Sequence, residues 1–258
     1  MSGCRTEITW IISLRATCII PTGSTAMTTA SWKRRRNSIQ RGNHDCSASA
    51  GRVQCIWRIG MNETLPVIYL ARHGETAWSL TGQHAGLVDL PLTAHGEHTA
   101  RQLGQRLRGL TFAKVFTSPL QRVSKTCELA GFKAVAVDDP DLLEWNYGDD
   151  EGKTTEELLK VRPGWQMFRG GYPGGETAEQ VSARADQVVS RVRTVEGNVL
   201  LFSSGRFLRM LAARWLGLGP EDGRFFLLST ASLSALGYEE NRSQPVIRLW
   251  DDTCHLRT

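Results

Sequence analysis

From residue 61 onward, short apolar runs alternate with longer segments of helical spacing, and that alternation restricts the fold to an α/β sheet covered by helices. The first run, Val67-Ile68-Tyr69-Leu70-Ala71, follows Pro66 and stops before a Gly, the composition of a buried strand. Thr93 is an N-cap for a helix to about Leu107, with Ala100, Leu103 and Leu107 on one face. Lys114 to Thr117 reads as a strand, and Ser118-Pro119 supplies a cap and first-turn proline for a helix that Gly131 ends. A third strand covers Ala134 to Val137. The longest helix runs from Thr177 to about Val195, because Val181, Ala185, Val188, Val192 and Val195 recur at helical spacing. Asn198 to Ser203 is another buried strand, a helix from about Phe207 to Leu216 is closed by Gly217, and Ser232 to Tyr238 and Val246 to Trp250 are the last two strands.

Directly after the first strand stand Arg72-His73-Gly74-Glu75-Thr76. Ligands of open α/β sheets collect outside the carboxyl ends of the strands, so these residues leave the sheet where chemistry is done. An Arg forks onto phosphate oxygens, an imidazole is a nucleophile, and a Gly lets backbone come close to a ligand. The residues therefore read as a phosphate-transfer site, against the plainer alternative of a charged loop. A second phosphate-like motif, Gly148-Asp149-Asp150-Glu151-Gly152-Lys153-Thr154, is one residue short of a nucleotide-binding loop, and its three acids repel phosphate.

The charge of +5 on 258 residues suggests nucleic acid until it is divided along the chain. Nine of 31 basic residues and two of 26 acidic ones fall within residues 1–60, which leaves 22 against 24, a net −2, for residues 61–258. That body gives no reason to invoke nucleic acid or an anionic membrane, and no stretch reaches the roughly 20 apolar residues of a membrane span. Cysteine is split in the same way: Cys4, Cys18, Cys46 and Cys55 precede residue 61, and only Cys127 and Cys254 follow. Two distant cysteines make no disulfide framework, so the body reads as a reduced, cytoplasmic domain. His44, Cys46 and Cys55 lack a C-x-x-C pairing, and no metal is expected. Residues 1–60 carry Lys33-Arg34-Arg35-Arg36 and a Ser/Gly-rich tract but no sustained periodicity. They read as an N-terminal extension outside the native fold, with a targeting segment and a basic interaction arm as alternatives; Met61 stands where a natural start would.

Arg72-His73-Gly74-Glu75-Thr76, Ser118-Pro119-Leu120-Gln121-Arg122, Leu143-Glu144-Trp145-Asn146-Tyr147-Gly148 and Pro173-Gly174-Gly175-Glu176-Thr177, in that order, resemble the phosphoglycerate-mutase-like branch of the histidine phosphatase superfamily over residues 61–258. The resemblance implies a three-layer α/β/α sandwich with a mostly parallel sheet, and transfer through a phosphohistidine without a cofactor. It makes His73 the nucleophile, sets Arg72 and Arg122 on the phosphoryl oxygens, and gives Glu144 the leaving oxygen and then the incoming water. Ser79, Gln83 and Tyr147 fall where such enzymes meet substrate, and His84 lies in the same loop near the pocket mouth. His95 and His98 read as solvated, and His255 lies in the tail.

One position departs from the family. A second histidine that contacts phosphate follows the fourth strand in such enzymes, and here Ser204 stands in its place within Ser203-Ser204-Gly205-Arg206. Loss of one preorganised donor costs about 10²–10³ in rate, so turnover is expected to be reduced and not abolished. Arg206 either lends its guanidinium to the phosphate or points to solvent. The first reading is a phosphatase of small phosphate esters, sugar phosphates foremost, acting as a monomer or homodimer. A phosphoglycerate-mutase-type phosphotransferase and a phosphate-pocket protein with weakened turnover are the alternatives. A bisphosphate would need a second cationic contact, for which Arg162 and Arg169 are candidates.

Overall fold

The structure is a computed structural model that describes residues 65–256. The expected extension 1–60, with its candidate metal set His44, Cys46 and Cys55, lies outside the described residues. Six strands form one sheet: β1 (Ile68–Arg72), β2 (Lys114–Thr117), β3 (Ala136–Asp138), β4 (Val199–Ser203), β5 (Leu233–Tyr238) and β6 (Pro245–Asp252). Their order is β3-β2-β4-β1-β5-β6. The first four in that order are mutually parallel, β5 runs antiparallel to β1, and β6 runs antiparallel to β5.

Helices cover both faces, and the strand side chains sort between them. They are α1 (Ala77–Thr81), α2 (Ala94–Arg106), α3 (Gln121–Leu129), α4 (Thr155–Val161), α5 (Ala178–Arg193) and α6 (Gly205–Trp215). Ile68 and Leu70 of β1 and Val199 and Leu201 of β4 pack with Val181, Ala185 and Val188 of α5 and Leu208 and Leu211 of α6. Their alternates Ala71, Leu200 and Phe202 pack with Leu103 of α2 and Val123 and Cys127 of α3. Period-2 alternation with apolar residues on both faces is what a sheet between two helix layers demands. The result is the expected three-layer sandwich.

Three element boundaries differ from the sequence reading. Helix α3 begins at Gln121 instead of Ser118-Pro119, because the Ser118 amide still donates to Phe202 O (3.0 Å) along the sheet, and Asp89 Oδ1 takes the Gln121 amide (2.7 Å). Strand β3 starts at Ala136, because the amides of Val135 and Ala136 both turn back to Phe132 O (3.0 Å). Helix α6 begins at Gly205, two residues before the expected Phe207, and the cause lies in the site. Helix α5 keeps its expected start, with Thr177 and Gln180 closing a reciprocal capping box.

Candidate active site

Strands β1 and β4 lie at the centre of the sheet with Arg72 opposite Ser203, so the chain leaves both strands at the same level. His73 and Ser204 therefore emerge side by side, and the His73 amide donates to Ser203 O (3.1 Å). The neighbouring carboxyl ends of such strands form the crevice where α/β proteins bind ligands.

His73 is nearly inaccessible, with 5% of its surface exposed. Its Nδ1 lies 2.7 Å from Gly74 O. A carbonyl only accepts, so Nδ1 carries the proton and the Nε2 lone pair is left available. Burial first, then the charges of Arg122 and Arg72, holds the imidazole pKa well below its ordinary value, which keeps the ring neutral. The loop is fixed from behind: the Gly74 amide donates to Thr126 Oγ1 (3.0 Å), whose hydroxyl donates to Arg122 O (2.7 Å). Thr126 escaped the sequence reading, although it sits one helical turn after Arg122 on α3. Gly74 also has a second reason to be glycine. A Cβ there would stand 2.4 Å from Gly96 O, and one on Gly96 would stand 2.2 Å from Glu75 O, so the loop and the first turn of α2 meet backbone to backbone.

Two guanidiniums flank this imidazole. Arg72 donates through Nη1 to Leu228 O, and Gly205 gives it room, since a Cβ at that position would lie 2.9 Å from Arg72 Nε. Burial lowers its pKa to about 10, which still leaves it charged at neutral pH. Arg122 is fully buried and donates to the carbonyls of Val88 (2.8 Å), Ala85 (3.0 Å) and Gly86 (2.7 Å). Burial lowers its pKa too, and Glu144 offsets part of that effect. The Nε groups of both arginines are buried without a partner among the described residues. Buried donors are satisfied in the great majority of cases, so the two guanidiniums beside His73 keep N–H groups with which an anion can be bound.

Glu144 completes the cluster from the opposite wall. It is 4% exposed, and its carboxylate accepts from the amides of Trp145 (2.9 Å), Phe207 (2.8 Å) and Arg206 (3.0 Å). A carboxylate from a distant loop thus caps α6, satisfying amides that a helix leaves unpaired and meeting the positive end of its dipole. This explains the early start of α6. Ser204 occupies the N-cap position without a capping side-chain bond, and its Oγ is buried and unpartnered among the described residues.

Arg206 does not point to solvent. Its Nη1 donates to Tyr147 Oη (2.9 Å), its Nε faces Met167 Sδ (2.7 Å), and its guanidinium lies over the Tyr147 ring. Burial works against its charge, but the surrounding tyrosines and Glu144 outweigh it and the pKa rises. Tyr147 is fully buried beneath this arginine, and its burial holds the phenol pKa well above ordinary although the Arg206 charge acts the other way.

The other residues singled out from sequence serve mainly to shape the rim. Ser79 exchanges hydrogen bonds with Thr76 in the capping box of α1. Gln83 donates to Gly152 O (2.9 Å) and accepts from Thr81 Oγ1 (2.7 Å). His84 is fully buried among Tyr147, Trp165 and Tyr172, with Nε2 3.0 Å from Thr155 Oγ1; it is an interior residue and not one at the pocket mouth. Burial lowers its pKa to about 3. His95 and His98 are exposed, as expected.

The acid-rich segment 148–154 has a structural task. Glu151 Oε1 accepts from the amides of Gly86 (2.5 Å) and Val88 (3.2 Å), and the carbonyls of those two residues hold Arg122. Asp150 pairs with Arg162 and with Lys153 (3.0 Å). Arg162 is thereby engaged, whereas Arg169 has no ion-pair partner among the described residues.

A three-layer α/β/α fold with this cluster at the carboxyl ends of β1 and β4 defines the phosphoglycerate-mutase-like architecture. The chain belongs to the histidine phosphatase superfamily (branch 1), whose family model matches residues 68–253, and it is an enzyme of that phosphate-ester-hydrolysing class. It is 37% identical over 181 residues to an acid phosphatase of Mycobacterium tuberculosis, covering 69% of this chain and 89% of that protein. It is 34% identical over 193 residues to a sedoheptulose 1,7-bisphosphatase of Saccharomyces cerevisiae, covering 62% of this chain and 71% of that protein. A solved structure of an open reading frame product from Mycobacterium tuberculosis superposes with a TM-score of 0.69 at 34% identity, covering 72% of this chain and 97% of the other. Among the described residues no helix is long and apolar enough to cross a membrane.

Proposed function

We propose that this enzyme hydrolyses small phosphorylated metabolites, sugar phosphates foremost, through a phosphohistidine on His73. The observation that carries the reading is a neutral His73, its Nδ1 proton held by Gly74 O, between two buried arginines whose Nε–H groups are unspent. His73 Nε2 attacks phosphorus while Arg72 and Arg122 neutralise the equatorial oxygens. The bond to the leaving oxygen breaks, and Glu144 delivers its proton there. Glu144 then takes a proton from water, whose oxygen attacks the phosphohistidine and releases inorganic phosphate. Ser204 Oγ supplies one hydrogen bond to the transferring group where a histidine would supply a stronger one. Substrate meets Ser79 and Gln83 at the rim, and Tyr147 acts on it from beneath, through the Arg206 guanidinium it holds. The relatives named for acid phosphatase and sedoheptulose bisphosphatase activity support a sugar phosphate substrate. We place the enzyme in the cytoplasm, as a monomer or homodimer, with residues 61–258 as its catalytic domain.

One observation favours slow turnover, or a pocket that binds without turnover. Ser204 offers only a hydroxyl, and the guanidinium of Arg206 is engaged by Tyr147 and Met167. Hydrolysis of p-nitrophenyl phosphate by the full chain, beside His73→Ala, decides between the readings. The proposal expects release of phosphate and an acid-labile phosphoenzyme that His73→Ala lacks. Wild-type activity equal to that of His73→Ala, with vanadate still bound, would sink hydrolysis and leave the binding protein. Transfer of phosphate to an acceptor sugar acid without release would make it a mutase.

A further inference from the structure

Arg184, in the second turn of α5, spends all its N–H groups around the loop that carries Glu144. It pairs with the Glu176 carboxylate through Nε (3.2 Å) and Nη2 (2.9 Å). Its Nη1 donates to Asp141 O (2.9 Å) and Leu143 O (2.6 Å), and its Nη2 donates a second time, to Glu144 O (3.3 Å). These five bonds exhaust a guanidinium, whereas Arg72 and Arg122 each keep an Nε–H. Arg184 also lies over the Phe207 ring, 4.7 Å from its centroid, and the Phe207 amide donates to Glu144 Oε1 (2.8 Å). One side chain therefore touches both the main chain from which the carboxylate springs and the residue that receives it.

Glu176 holds the residues that follow Glu144. Its Oε2 accepts from the Asn146 amide (2.9 Å), its own amide donates to Asn146 O (2.9 Å), and its carbonyl accepts from Trp145 Nε1 (2.9 Å). A Cβ on Gly175 would stand 2.3 Å from Asn146 O, so the segment Pro173-Gly174-Gly175-Glu176-Thr177 meets this loop backbone to backbone. None of these bonds involves the phosphate-facing arginines, since Arg72 is held by Leu228 O and Arg122 by the carbonyls of Ala85, Gly86 and Val88. The Arg184–Glu176 pair is largely withdrawn from solvent, and loss of either partner would leave the other charge uncompensated.

We infer that Arg184 and Glu176 are positioning residues for Glu144, fixing where its carboxyl stands so that the pair governs proton delivery to the leaving oxygen and not phosphate binding. The inference rests on the hydrolytic reading, in which Glu144 is the acid. Both residues act through Glu144. A carboxyl displaced by about 1 Å loses much of its contribution to the rate, while the cations that bind phosphate stay where they are.

The leaving group separates this role from a merely structural one. Benzyl phosphate and p-nitrophenyl phosphate are close in shape, but the alkoxide of the first needs a proton to depart and the nitrophenolate of the second does not. Arg184→Lys keeps the charge and loses the planar fork, and Glu176→Gln keeps an acceptor for the Asn146 amide. In the full chain each should lower kcat/KM for benzyl phosphate by about 10–100-fold and that for p-nitrophenyl phosphate by less than about threefold, with vanadate affinity unchanged. Glu144→Gln combined with Arg184→Lys should be no slower on benzyl phosphate than Glu144→Gln alone, because both changes remove one effect. Equal losses on the two substrates, losses that multiply with Glu144→Gln, weakened vanadate, or failure of both variants to fold in thermal scans would each overturn the inference. So would a wild type that cleaves p-nitrophenyl phosphate and leaves benzyl phosphate intact, since it delivers no proton. A wild type no faster than His73→Ala on either substrate would remove the hydrolytic reading and this inference with it, whereas an active wild type with equal losses removes the inference alone.

Discussion

Glu144 carries two tasks in one carboxylate, because the group proposed to move a proton also receives two amides of α6 and one of its own loop. Glu144→Gln removes the proton donor and presents an amide NH₂ to the Arg206 N–H. Turnover should fall by about 10²–10⁴, and thermal unfolding should show a further loss of about 1 kcal/mol from the cap. An unchanged rate would dismiss Glu144 as the acid. At Ser204 the change runs the other way. An imidazole restores the donor whose absence costs about 10²–10³, so Ser204→His should raise kcat on p-nitrophenyl phosphate by about 10²-fold; a flat kcat would show that this position does not limit the enzyme. Both residues were legible in the sequence, Glu144 by its place in a motif and Ser204 by its departure from one. Arg206 was not. Its partners, Tyr147 and Met167, come from the loop after Glu144 and from the segment between α4 and α5, and side-chain pairing across such distances leaves no local pattern.

The elements that set the site meet through backbone more than through side chains. The segment 83–88 is clamped on 151–154 by the Glu151 carboxylate and by the exchange of His84 N to Lys153 O (2.9 Å) and Gly152 N to His84 O (2.9 Å). Its carbonyls then fix Arg122. The central strands followed from short apolar runs, because they are buried on both faces, and the long helices from periodicity, because each buries one face on the sheet. The start of α6 did not, since its cap comes from Glu144 and not from a neighbour in sequence. The same holds for the contact of Gly74 with Gly96, where a Cβ on either would clash with backbone. Gly96→Ala should therefore cost about 1–3 kcal/mol of stability and lower turnover as well, because the shift is transmitted to the residue beside His73. Calorimetry and the p-nitrophenyl phosphate assay would read the two effects, and retention of both stability and rate would refute the close contact.

For the molecule as a whole, two buried histidines make stability depend on pH. The folded pKa values of His73 and His84 lie below the ordinary 6.5, that of His84 at about 3. Between those limits the unfolded chain binds protons that the folded one does not, so unfolding stability rises with pH. The contribution is complete above about 6.5 and is lost as pH falls toward the folded values. Tm should thus decline steadily from pH 6.5 toward 4, and more shallowly in His84→Gln, where one histidine fewer titrates in this way beside His73 and the half-buried His255, whose pKa burial also lowers. Equal slopes would mean that His84 is not neutral in the fold. The three-layer plan was legible from the alternation of segments after residue 61. The pH response depends on burial of His84 beneath Tyr147 and Trp165, which no spacing of residues reveals.

The backbone contact of Gly74 with Gly96 also bears on how such a sequence can drift. Each glycine is judged by the main chain of the other's neighbourhood, which no substitution elsewhere can trim. The two positions are therefore constrained together. A substitution at either glycine shifts the first turn of α2 against the loop that carries His73, so in a saturation library selected for activity both positions should be depleted of other residues while the exposed positions around them fill freely.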